Sequence, residues 1–79
     1  MKRYTYEERK DLAKITETIF KLRTKHKLSQ IELAWEAEIH PDTIARVEGG
    51  DTFYSLVVLI KLSKVFKTTL ASIFEESNL

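Results

Sequence analysis

Cysteine is absent from this 79-residue chain, which rules out a disulfide framework and any zinc site held by thiolates. A fold of this size without such staples depends on closely packed helices or on association with another chain. Its length allows one core of about a dozen to twenty side chains and no deep, multi-part active site. Proline occurs once and glycine twice, all between residues 41 and 50, so strong helix breakers are missing from the rest of the chain. The alternating apolar and polar pattern of a half-buried strand is also missing. The longest apolar run, Leu56 to Ile60, falls far short of the ~20 residues that span a bilayer. The start, MKRYTYEERK, has no apolar run behind its positive charges. A soluble, cytoplasmic protein without a membrane segment is therefore expected.

A strong net charge is likewise lacking, but the +1 total conceals an uneven distribution. Residues 1–28 carry nine Lys or Arg against four acids, or +5, whereas residues 29–79 carry four against eight, or −4. The N-terminal third thus presents a basic surface suited to an anionic partner.

What is present reads as helix. Thr5 with Glu8 forms a capping box, and Leu12, Ile15, Ile19 and Leu22 recur at helical steps behind it, marking an extended first helix that ends near His26. Ser29 with Glu32 opens a second helix from Gln30 to about Ala37, its inward face made by Ile31 or Leu33 with Ala34 and Ala37. After a turn over Glu38 to His40, Pro41 suits the first position of a third helix, where its missing N–H costs nothing. That helix stops at Gly49-Gly50. Ser55 caps a fourth from Leu56 to about Phe66, with Leu56, Leu59, Leu62, Ser63 and Phe66 inward, and Thr69 caps a fifth from Leu70 to about Glu76. The expected architecture is all-α: a compact five-helix domain. Residues 1–11 supply an N-terminal extension and the start of helix one, and residues 12–79 the domain, with its motif at about 29–48.

Two short helices joined by a three-residue turn, with Ala34, Ile39, Ile44 and Val47 at the crossing, form a helix-turn-helix whose second helix can enter a major groove. Ile19, Leu22-Arg23, Leu28-Ser29-Gln30, Leu33-Ala34, Ile39, Thr43-Ile44, Arg46, Val47-Glu48, Gly50 and Ser55-Leu56 stand in the register of a known pattern. From Ile19 to Phe74 the chain resembles the Xre/Cro-repressor family, which includes phage repressors and the controller proteins of restriction-modification systems. The resemblance implies that Gln30 bonds a phosphate and that His40, Pro41, Asp42, Thr43 and Arg46 lie against the groove. The chain departs from the family at Glu38 and Lys67, where turn glycines are common, so each side chain must accept a left-handed backbone at about 1 kcal/mol. The loop after the third helix carries Gly49, Gly50, Asp51, Thr52 and Phe53 where many relatives have Lys or Arg. Arg23, Lys25, His26 and Lys27 at the end of the first helix are placed to replace that charge.

The candidate base contacts are Arg46, Thr43, Asp42 and Pro41. Arg46 matches guanine O6 and N7, Thr43 a thymine methyl or a phosphate, and Asp42 cytosine N4. Competing structural roles exist: Arg46 can pair with Asp42 one turn earlier, and Asp42 suits the positive end of the helix dipole. The candidate phosphate contacts are Gln30, His40, Arg23, Lys25, Lys27 and Trp35. His40 can instead cap the third helix, and either role is pH-sensitive. Trp35, outside the inward face, is either a partly buried prop or an indole donor to phosphate. Glu32 reads as the capping acid and Glu48 as a structural acid.

Catalysis has no support, because His26 and His40 lack metal-ligand spacing, no nucleophile stands beside a base, and no glycine loop cradles a phosphate. No cofactor or metal is expected. The expected partners are double-stranded DNA and a second copy of the chain. The dimer surface is drawn from Val57, Val58, Ile60, Ile73 and Phe74, apolar residues in excess of one small core. The rival is an antitoxin-like module that keeps the fold but uses this surface and the acidic second half for a protein partner.

Overall fold

Each helix starts where a side chain can satisfy its free N–H groups. In the computed structural model, which describes residues 4–50 and 55–79, the Thr5 hydroxyl accepts the Glu8 N–H at 3.1 Å while the Glu8 carboxylate accepts the Thr5 N–H at 2.9 Å. This box opens α1 (Tyr6–Lys25). Ser29 and Glu32 repeat it at 3.0 and 2.8 Å to open α2 (Gln30–Ala37). His40, Ser55 and Thr69 cap α3 (Pro41–Glu48), α4 (Leu56–Val65) and α5 (Leu70–Glu76). The all-α, five-helix architecture expected from the sequence is the one observed, and no strand occurs among the described residues.

The helix ends depend less on glycine than is usual. Lys27, Glu38, Lys67 and Asn78 all adopt left-handed backbone, with φ from 55° to 61°. At each, two hydrogen bonds close the helix: Ile39 N–H reaches Ala34 O at 2.9 Å and Glu38 N–H reaches Trp35 O at 3.2 Å, and the same pair recurs after α1, α4 and α5. These bonds satisfy carbonyls that would otherwise lack partners. At the first two ends the following residue, Leu28 or Ile39, also packs on the core. Together these gains offset the ~1 kcal/mol conformational cost of a side chain there. Glu38 and Lys67 were expected on this ground; Lys27 and Asn78 add to them.

Helix α2 packs on α3 and α4, α1 on α3 and α5, and α4 on α5. Between them Ile15, Ile19 and Leu22, Leu33, Ala34 and Ala37, Ile44 and Val47, Leu59, Leu62 and Phe66, and Ile73 make one core. Leu33 takes the inward place on α2, and Ile31 is exposed.

Two expectations are corrected. Leu56, expected in the core, is 59% exposed, and Ile73, expected at a dimer surface, is fully buried. Steps of three residues fall short of a 3.6-residue turn, so Leu56, two such steps before Leu62, has rotated away from the packed face. Ile73 is the fully buried residue by which the short α5 docks on the core, with Leu70 and Phe74 half-buried beside it. A second link, with no local signal in the sequence, fastens that docking: the Thr18 and Ser77 hydroxyls lie 2.8 Å apart in the buried α1–α5 contact, and Ser77 donates to Ile73 O at 2.7 Å.

Candidate nucleic-acid interface

Helix α3 buries Ile44 and Val47 and turns Asp42, Ala45 and Arg46 outward, with Pro41 and Thr43 half-buried beside them. Arg46 has no ion-pair partner among the described residues; the Asp42 carboxylate instead lies 3.8 Å from His40 Nδ1. The guanidinium of Arg46 is therefore open to an external acceptor, whereas Asp42 stays in the first turn, at the positive end of the helix dipole.

The attitude of α3 is set at its other end. Glu48, its last residue, takes Arg23 Nε at 2.6 Å on Oε2 and Arg23 Nη2 at 2.9 Å on Oε1, while Arg23 Nη1 donates to Leu28 O at 2.8 Å. The pair is mostly withdrawn from solvent, with side chains 13% and 5% exposed, and the guanidinium carbon lies 5.2 Å from the Phe20 ring centroid. A bidentate Arg–carboxylate fork of this kind fixes orientation as well as charge. It ties α1 to α3 and to the turn before α2. The expected phosphate contact by Arg23 is corrected on this ground, since its guanidinium is inside the domain and used there.

Gln30, the first residue of α2, donates its Nε2 to the same Glu48 Oε1 at 3.0 Å. One amide hydrogen is thereby anchored and the other left for an outside acceptor, so the network orients Gln30. The sequence shows no local sign of this, because Arg23 and Glu48 stand 25 residues apart.

Lys25 and Lys27 are exposed, without ion-pair partners among the described residues, at the end of α1 and in the turn that leads to Gln30. Trp35 is 71% exposed; it is not a prop, and its indole N–H is open to an outside acceptor. Ile31, four residues earlier on α2, is exposed on the same side. Glu32 serves as the capping acid: the Ser29 backbone N–H, and then its hydroxyl, hold the Glu32 carboxyl below the usual carboxylate range. His40 is the cap of α3. The loop positions Asp51, Thr52 and Phe53 lie outside the described residues.

If Lys25 and Lys27 carry the phosphate load, changing both to Gln weakens binding to every duplex alike. The log–log salt slope then falls by about 0.9 for each phosphate that is no longer neutralised. An unaltered slope in a salt titration of the double variant would place these lysines off the DNA backbone.

A helix held from behind after a tight turn from the preceding helix, with Arg46 on its outer face, is a helix-turn-helix. A family model described as Helix-turn-helix matches residues 19–73. The chain belongs to that family, the Xre/Cro type of helix-turn-helix DNA-binding regulators. A comparison with individual curated proteins returned no match. No described helix is long and apolar enough to cross a membrane.

Proposed function

We propose that this chain is a cytoplasmic, dimeric, sequence-specific transcriptional regulator, with residues 12–79 as the binding domain and α3 lying in the major groove of a pseudo-palindromic operator. The observation that carries this reading is Arg46, exposed and without an ion-pair partner among the described residues, on the outer face of a helix whose inner face is locked by Ile44, Val47 and the Glu48 fork. Thr43, Asp42 and Pro41 complete the base-reading face. Gln30, His40, Lys25, Lys27 and Trp35 serve the phosphates. Two-fold symmetry sets half-sites about one turn, ~34 Å, apart.

Arg46→Ala is expected to cost about 1–3 kcal/mol per half-site on operator selected from a random duplex library, and much less on random duplex. Titration of both DNAs decides it, since equal losses would make Arg46 a phosphate contact.

An antitoxin-like interaction module is favoured by one observation, the exposed apolar surface of Ile31 and Trp35 on α2 and of Leu56, Val57 and Ile60 on α4. A gel shift on random duplex at low salt separates the two readings: a groove reader retains non-specific binding, and a protein adaptor shows none.

A further inference from the structure

Most of the cations on α1 are engaged within the domain. Lys14 pairs with Asp11 at 3.8 Å, Lys21 with Glu17 at 2.9 Å and Arg23 with Glu48, and Lys10 lies 5.3 Å from the Tyr6 ring centroid. Arg9 is exposed and has no ion-pair partner among the described residues. Arg9, Ala13, Thr16, Phe20 and Arg23 follow one another at alternating steps of four and three residues and so share one face of α1. At one end of that face Arg23 holds Glu48, the last residue of α3. Toward the other end, Arg9, Ala13 and Thr16 border a narrow cleft of about 120 Å³ with Gly50, two residues after Glu48. This face of α1 therefore runs past the C-terminal end of α3 and carries Arg9 beside it.

We propose that Arg9 extends the DNA interface onto the first helix, as a contact to a phosphate of the duplex strand that passes the C-terminal end of α3. This rests on α3 being the groove helix. With eight residues, α3 is about 12 Å long, close to the width of the major groove, so a sugar–phosphate strand passes each of its ends. At the C-terminal end the sequence supplies Gly49, Gly50 and Asp51, and Glu48 is already held by Arg23. Phosphate binding needs a cation close to the duplex and not one particular segment of chain, so another element has to bring it. Arg9 is the exposed cation that borders this end, and a guanidinium offers five donors in a planar fork that matches phosphate oxygens.

The test is a salt titration of the full chain on operator and on random duplex. Arg9→Gln is expected to lower the log–log salt slope by about 0.9 for each subunit bound, alike on both DNAs and at an unchanged melting temperature. Lys14→Gln removes the same charge from the other side of α1, where Lys14 lines the cleft between α1 and α5, and should leave the slope as it is. Ala13→Arg in the Arg9→Gln background returns a guanidinium one turn along the same face, at an exposed site, and should bring the slope back. Equal changes from Arg9→Gln and Lys14→Gln would mean general attraction without contact and overturn the proposal. A loss confined to operator would overturn it too, since phosphate carries no sequence. So would an Arg9→Gln protein with a lowered melting temperature and an unaltered slope, which would assign the guanidinium to an acceptor of the chain itself, Asp51 being next in sequence to Gly50. A wild type that binds neither duplex removes the groove reading and this contact together. An Arg46→Ala protein that loses operator alone, beside an inert Arg9→Gln, leaves the groove reading standing and removes only the contact.

Discussion

Glu48→Ala is expected to lower the melting temperature by about 15–30 °C. Removing Glu48 leaves the Arg23 guanidinium in a site only 13% exposed, with Leu28 O as its remaining acceptor and the Phe20 face beside it. Breaking a buried pair from one side costs about 3–5 kcal/mol. A domain of this length has only about 4–12 kcal/mol in total. The same change frees the Gln30 amide, so duplex binding should weaken even at temperatures where the variant is folded. A second variant separates the two effects. Arg23→Met with Glu48→Leu replaces the pair by apolar groups of similar bulk, and such exchanges are often neutral or stabilising. It should melt near wild type and still bind DNA poorly, because Gln30 has lost its anchor. Thermal unfolding followed by circular dichroism gives the first result and duplex titration the second. A Glu48→Ala protein that melts within a few degrees of wild type would show that the fork adds little, and a double variant with wild-type affinity would show that Gln30 needs no positioning.

Val57→Asp is expected to abolish dimerisation and to weaken operator binding by about 100-fold or more while leaving the helical spectrum native. Val57 and Leu56 are each 59% exposed and Ile60 38%. They share one side of α4 through three- and four-residue spacings, directed away from Leu59, Leu62 and Phe66. A two-fold contact at this patch would be self-complementary and would cover its apolar area at about 25 cal/mol per Å². An aspartate there costs the monomer almost nothing, since the site is open to water, but would be buried without a partner in the dimer. Without the dimer, the two half-sites are no longer bound by linked subunits, which accounts for the size of the affinity loss. Ile73 is the useful contrast: fully buried, it should unfold the domain when changed to Asp, so the two variants separate a surface role from a core role. Sedimentation equilibrium reads the outcome. A wild type that stays monomeric at high micromolar concentration, or a Val57→Asp protein that still dimerises, would move the interface elsewhere or remove it.

The patch also shows how the dimer expectation shifted. Apolar excess on α4 and α5 is visible in the sequence, but its distribution is not. Val58 and Phe74 are half-buried against the core, Ile73 is inside it, and Leu56 takes their place at the surface.

The chain by itself determined every helix and nearly every boundary, because the signals are local: two capping boxes, three further N-caps, and all its proline and glycine confined to residues 41–50. It also determined the outward face of α3, since Ile44 and Val47 leave only one side for Arg46. The tertiary structure alone decided which polar side chains remain available. Arg23, Lys25 and Lys27 read alike as basic residues at a helix end. Of the three, Arg23 alone lies within reach of Glu48 and is used internally. Periodicity states which residues share a face of one helix; whether another helix covers that face, and which charges meet across the gap, depends on segments far apart in the chain.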